Sequence, residues 1–171
     1  MNNLIIHTIF IVIFAILYSI LEIEIEGKSG WAENLPTQYS GIGRLTYYHV
    51  IMNITIILVI TYSTLLIKDT NLWIVLFYII IWFLVEDFSW FVLNPYYTLD
   101  KYSRENIWWH SDQEWILKNP MHNWIGIVIL LLILIITQDI KLLNSLIVTI
   151  IMVLIMILIS EEYHRWYIKR H

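Results

Sequence analysis

Residues 79–95 read IIIWFLVEDFSWFVLNP, an apolar run that carries two adjacent carboxylates, Glu86 and Asp87. A bilayer interior holds no water to hydrate them, and each costs roughly 2.5–3.5 kcal/mol at mid-membrane. A chain keeps such groups where they face protein, a cavity or an interface. Extended back to Leu72, the run is long enough to span a bilayer as a helix, since about 20 apolar residues at 1.5 Å rise suffice. Glu86 then lies two turns before Pro95, roughly 10 Å inside the end of that span.

The same test applied outward finds five spans: 4–23, 45–67, 72–92, 120–137 and 142–160. Of 171 residues 59% are hydrophobic and 14% charged, with mean hydropathy +0.69, values that exclude an ordinary water-soluble domain. The expectation is one all-α polytopic membrane domain over 1–171, a five-helix bundle. The N-terminal run has no basic leader and no small-residue cleavage site, so it reads as a retained first span. There is no cysteine, which rules out disulfides and thiolate ligands. No haem, flavin or nucleotide motif is present, and no basic patch of the kind that binds nucleic acid. Asn119 and Pro120 suggest an N-cap and first helical residue for the fourth span. The short links 68–71 and 138–141 make antiparallel hairpins of spans two and three, and four and five.

With five spans, the side bearing the N-terminus carries only Lys68 and Lys141, and the other side carries the eight remaining basic residues. By the positive-inside rule the N-terminus is outside a cell membrane and the C-terminus cytoplasmic. Twelve of fourteen acids, five of six histidines and seven of nine tryptophans gather at the cytoplasmic side. Longer loops explain part of this sorting, but not Glu86 or His49, which lie inside spans. Every span delivers a carboxylate or an imidazole to this layer: Glu22 with Glu26 one turn on, His49 with Asn53, Glu86 with Asp87, His122, and Glu161 with His164. His110 comes from the long third connection. The first cytoplasmic connection, GKSGWAENLPT, is too rich in turn residues to be helical throughout, and is expected to fold over the layer with Trp31 as anchor and Glu33 and Asn34 as polar contributors. His7, alone on the opposite side, receives no role.

Three functional readings compete. One is a carboxylate/histidine metal site, divalent or di-iron. Glu161-x-x-His164 has the helical spacing of di-iron bundles, with His110 and His122, and also Glu22, Glu86 and His49, as companions, but a second Glu-x-x-His is missing. A second is metal-free acid–base chemistry on a lipid or isoprenoid-like substrate: a carboxyl in apolar surroundings acts as a proton donor while a neighbour takes the opposite role. Here Glu86, Asp87, His49 and Glu22 are the catalytic candidates, and Trp31, Asn53, Trp90 and Trp109 would contact the substrate. The string VEDFSWF, residues 85–91, resembles the carboxylate–Phe motif of the small membrane lycopene cyclases. That resemblance is confined to the string, with Val85 where those proteins carry Pro or another apolar residue, and it implies a protonating role for Glu86. The third reading is a non-catalytic membrane subunit whose charged layer docks a partner or lipid headgroup, with Lys101, Arg104 and Lys118 near phosphate. Plainer roles stand beside these: a Glu161–Arg165 surface pair, and Asp87 paired with Arg44 or Arg104.

Overall fold

The computed structural model describes residues 3–42 and 44–171. Five α-helices account for most of them: α1 (Asn3–Glu26), α2 (Tyr47–Leu65), α3 (Leu72–Leu93), α4 (Met121–Thr137) and α5 (Ile140–Arg170). Among the described residues α1, α2, α3 and α5 are long and apolar enough to cross a membrane, which makes this a multi-pass membrane protein by helix length and composition. α4 is equally apolar but has 17 residues, about 26 Å of helix.

The helix ends follow local chemistry. Thr46, Asn71 and Asp139 cap α2, α3 and α5, each side-chain oxygen accepting a first-turn backbone N–H. α1 runs through the alternating EIEIE segment and stops at Gly27, whose φ of +59° suits the left-handed position after a helix. The start of α4 differs from the sequence expectation. Asn119 and Pro120 pair with Ile116 and Trp115 as β2 (Asn119–Pro120) and β1 (Trp115–Ile116) of a small antiparallel hairpin, and the helix begins at Met121. Asn119 does not cap it, because its carbonyl oxygen accepts from the Tyr102 hydroxyl at 2.8 Å. α5 continues past residue 160 through the charged segment to Arg170, 31 residues in all, so its last turns outrun a bilayer core of about 30 Å.

α3 is the centre of the bundle and packs against each of the other four helices. Its buried residues lie all around its circumference, from Ile74 and Phe77 to Phe91 and Leu93, as a helix surrounded by others requires. α1 is its most intimate neighbour. The buried stripe of α1 includes Thr8, Ala15 and Ser19, small side chains that let two backbones approach closely where hydrophobic transfer gives no drive.

At the end opposite the acidic layer, a buried polar network ties the helices together. The Tyr78 hydroxyl donates to the Leu4 carbonyl at 3.0 Å and lies 3.1 Å from Thr8 Oγ1 and 3.3 Å from Ser145 Oγ. His7, given no role from sequence, is buried beside it, with Nε2 3.0 Å from Thr64 Oγ1 and its ring edge-on to Tyr78. Interhelical hydrogen bonds in membranes contribute about 0.6 kcal/mol on average and up to about 1.7. Tyr78→Phe is therefore expected to lower stability by about 1 kcal/mol, read as a fall in Tm in detergent, with helix content unchanged.

Candidate functional site

Glu86 and its neighbours line a cavity of about 390 Å3, at the lower end of the roughly 300–1,000 Å3 found for small-molecule sites. α3 supplies two adjacent stripes of its wall: Trp82, Glu86 and Trp90 at four-residue spacing, and Phe83 with Asp87 beside them. α1 adds Tyr18, Glu22 and Glu26, also one turn apart. α2 adds His49 and Asn53, and α4 adds His122 and Asn123. The connections contribute Trp31, Trp109 and His110.

Two polar centres occupy this cavity. In the first, Glu22 of α1 and Glu86 of α3 face the cavity from neighbouring helices. Beside them Glu26 Oε1 accepts from the Ala32 N–H at 2.9 Å and lies 3.8 Å from His49 Nε2. His49 Nδ1 is 2.8 Å from Thr46 Oγ1, and the same oxygen caps α2 by accepting the His49 backbone N–H at 3.4 Å. The ring's other nitrogen, Nε2, is the one that faces Glu26. Glu24, between the two inward glutamates, turns instead to the C-terminus, 3.6 Å from Arg170 and 3.1 Å from His171.

The second centre is Asp87 with His110 and His122. The two Nε2 atoms lie 3.8 and 3.7 Å from the Asp87 oxygens, and the three ligand atoms all fall within 4.8 Å of one another. Two imidazoles and one carboxylate form a group that can hold a metal ion, of the composition common for zinc and iron. Gln113 links the rings from behind: His122 Nδ1–H donates to its Oε1 at 2.7 Å, and its Nε2 donates to His110 Nδ1 at 3.2 Å. A ligating histidine usually gives its second N–H to a carbonyl, which His122 does. His110 accepts at Nδ1, so its neutral ring carries the proton on Nε2, facing Asp87, and a metal bound there would displace it. Replacing Gln113 with leucine removes the partner of both rings, and a loss of about 10–100-fold in metal affinity is expected by calorimetric titration.

Asn123 completes the second centre. Its amide donates to Asp87 Oδ2 at 2.9 Å and lies 3.1 Å from the Tyr102 oxygen and 3.2 Å from Asn119 Oδ1. Burial, and then the negative charge of Asp87, pushes the Tyr102 phenol up, so it stays protonated and donates to Asn119.

Aromatic packing holds the roof. Trp31 stacks on His49 with centroids 4.2 Å apart and lies parallel to Trp109 at 6.3 Å. Its indole N–H donates to the Arg44 carbonyl at 2.8 Å. Trp31 and Ala32 both have positive φ, 47° and 53°, a conformation that costs a non-glycine residue about 1–2 kcal/mol. Arg44 fastens the opposite side of the roof, pairing with Asp112 and donating to the Trp108 carbonyl, with its guanidinium 5.6 Å from the Trp108 ring centre.

The structure brings most of the sequence-selected residues to this one cavity, from all helices except α5. Glu161 and His164 are not among its lining. Glu161 is exposed, and Arg165 pairs with Glu162 rather than with Glu161. His164 Nε2–H donates to the Val92 carbonyl at 2.8 Å, a tie between α5 and the end of α3 that leaves it outside the ligand group. Neither cation expected beside Asp87 is there, since Arg44 goes to Asp112 and Arg104 donates to the Ser111 carbonyl. Glu33 and Asn34 are exposed, and Asn34 bonds Ser29. Gln113, Asn123 and Tyr102 had no sequence signal. Glu26 had one, its helical phase with Glu22.

No protein-family model, curated protein or solved structure matches the chain, so the likeness of residues 85–91 to the small membrane lycopene cyclases stays a likeness of that string.

Proposed function

We propose that this protein is a membrane-embedded, metal-dependent acid–base enzyme acting on a lipid-soluble, isoprenoid-like or other long-chain substrate. The observation that carries the reading is the convergence, in one cavity, of the Asp87–His110–His122 group and the glutamates Glu22 and Glu86. Asp87, His110 and His122 would hold a divalent cation, which would supply Lewis-acid polarisation of a substrate oxygen. Glu86, with Glu22 facing the same cavity, gives or takes the proton at the reacting atom. Glu26 and His49 relay or balance that proton at the roof. Zinc, iron(II) or manganese fits a donor set of two nitrogens and one oxygen without thiolate.

The topology belongs to the same proposal: a single membrane unit of five spans, N-terminus outside and C-terminus cytoplasmic. α4, about 26 Å long, makes the fifth crossing with the help of the hairpin that precedes it. The eight basic residues on the site's side support that orientation, and membrane lipids are the surrounding partners.

Elemental analysis of the detergent-purified protein tests the reading. One equivalent of zinc, iron or manganese is expected, retained in Glu161→Gln and His164→Ala and absent from Asp87→Asn. Metal-free protein that takes up none of these ions on reconstitution would overturn it.

A further inference from the structure

The cavity is divided along its length. The carboxylates and histidines lie at the end under the connections; toward the middle of the bundle the lining takes in Tyr18 and Asn53 and is otherwise apolar, over Ile80, Phe83, Leu84, Ile125, Gly126 and Ile129. On α3, Ile80 precedes Glu86 by six residues, and on α4 Ile129 follows His122 by seven. The apolar part therefore extends roughly 10 Å from the polar layer toward the middle of the bundle.

That part opens sideways. Ile125 and Ile129 are 52% and 40% exposed although they line the cavity, whereas Trp82 behind them is 1% exposed. α2 and α4 both pack on α3 but make no substantial contact with one another, so a slot over α3 remains between them. Gly126 draws α4 onto the slot floor: a Cβ there would meet Leu84 Cδ2 at 3.0 Å. At the polar end the path is covered by Trp31 and Trp109.

We infer that the cavity binds a single-chain amphiphile that enters from the bilayer through the α2–α4 slot, placing an oxygen-bearing head at the carboxylate/histidine layer and its chain against Ile80, Leu84, Ile125 and Ile129. This rests on the reading of the cavity as a substrate site, and it names the substrate class. An apolar slot facing acyl chains gives a water-soluble substrate nothing to bind, and a polar blind end gives a pure hydrocarbon no reason to enter. A volume of about 390 Å3 takes one head and the first part of one chain, not a whole two-chain phospholipid.

Photolabelling in nanodiscs tests the inference, with a palmityl alcohol carrying a diazirine within its chain as probe and phosphatidylcholine as the bilayer. Labels should concentrate on peptides 80–84 and 125–129. Unlabelled palmityl alcohol should compete them away at a fixed amount of phosphatidylcholine. Ile129→Trp, at a half-exposed position outside the core, occupies the space of about two methylenes and should weaken labelling about tenfold. Labels spread evenly over lipid-facing positions of α5, such as Leu154 and Leu158, and unchanged by Ile129→Trp, would overturn the inference. So would slot labels that unlabelled palmityl alcohol does not compete away. The same labelling in Asp87→Asn separates the two proposals: slot labelling without bound metal upholds the amphiphile site whatever becomes of the metal centre.

Discussion

His122→Ala is expected to weaken divalent-cation binding by at least about 100-fold and to leave the helical fold intact. Loss of a partner behind a ligand already costs about 10–100-fold, and loss of one ligand of three exceeds that. The fold survives because the His122 side chain is 40% exposed in the first turn of α4, so truncation empties no packed core. Asp87→Asn should do the same by another route. It keeps the shape of the side chain but removes the negative charge that Asp87 sets between the two rings. Calorimetric titration with zinc, alongside circular dichroism, reads both effects. Affinity within a factor of two of the parent protein would remove His122 from the centre.

The second large effect is expected at Gly30. Its φ of +63° is left-handed, and a Cβ there would lie 2.8 Å from Cη2 of Trp109 and 3.3 Å from Cη2 of Trp90. Gly30→Ala therefore combines a backbone cost of about 1–2 kcal/mol with overpacking against a buried, stacked indole, about 1–3 kcal/mol more. A loss of about 2–5 kcal/mol is expected, a fall in Tm of roughly 4–20 °C. Gly27→Ala isolates the first term. Gly27 has a similar φ of +59°, but nothing lies within 4 Å of its Cβ position, so only the backbone cost applies. Because Trp109 immediately precedes His110, Gly30→Ala should also weaken metal binding, which Gly27→Ala should not. Equal effects of the two substitutions on both readouts would show that the Gly30–Trp109 contact contributes nothing.

The parts of this architecture that are written in hydropathy were legible in the sequence. An apolar run with two carboxylates inside it marks α3 and the depth of Glu86, and helical phase alone places Glu22 and Glu26 together and turns Glu24 away. Spacing along one helix was a poorer guide where the helix's rotation about its axis decides. Glu161 and His164 do share a face of α5, but packing turns that face toward the end of α3 and solvent, and His164 bonds a backbone carbonyl there. The metal group itself draws on three separate segments: α3, a short 3-10 turn at Trp108–His110 and the first turn of α4. Nothing local in the string SDQEW announces that Gln113 lies behind both rings. Its position follows from the β1–β2 hairpin, which returns the chain and seats α4 beside α3. The displaced start of α4 has the same origin, because Asn119 satisfies Tyr102 and Asn123 instead of the helix end.

X-ray absorption at the edge of the bound metal tests the central claim most directly, because it counts donor atoms by type. The account predicts two imidazole nitrogens and one carboxylate oxygen among the ligands, with the nitrogen scattering reduced in His110→Ala and again in His122→Ala. A shell of oxygens alone, unchanged by either substitution, would contradict it.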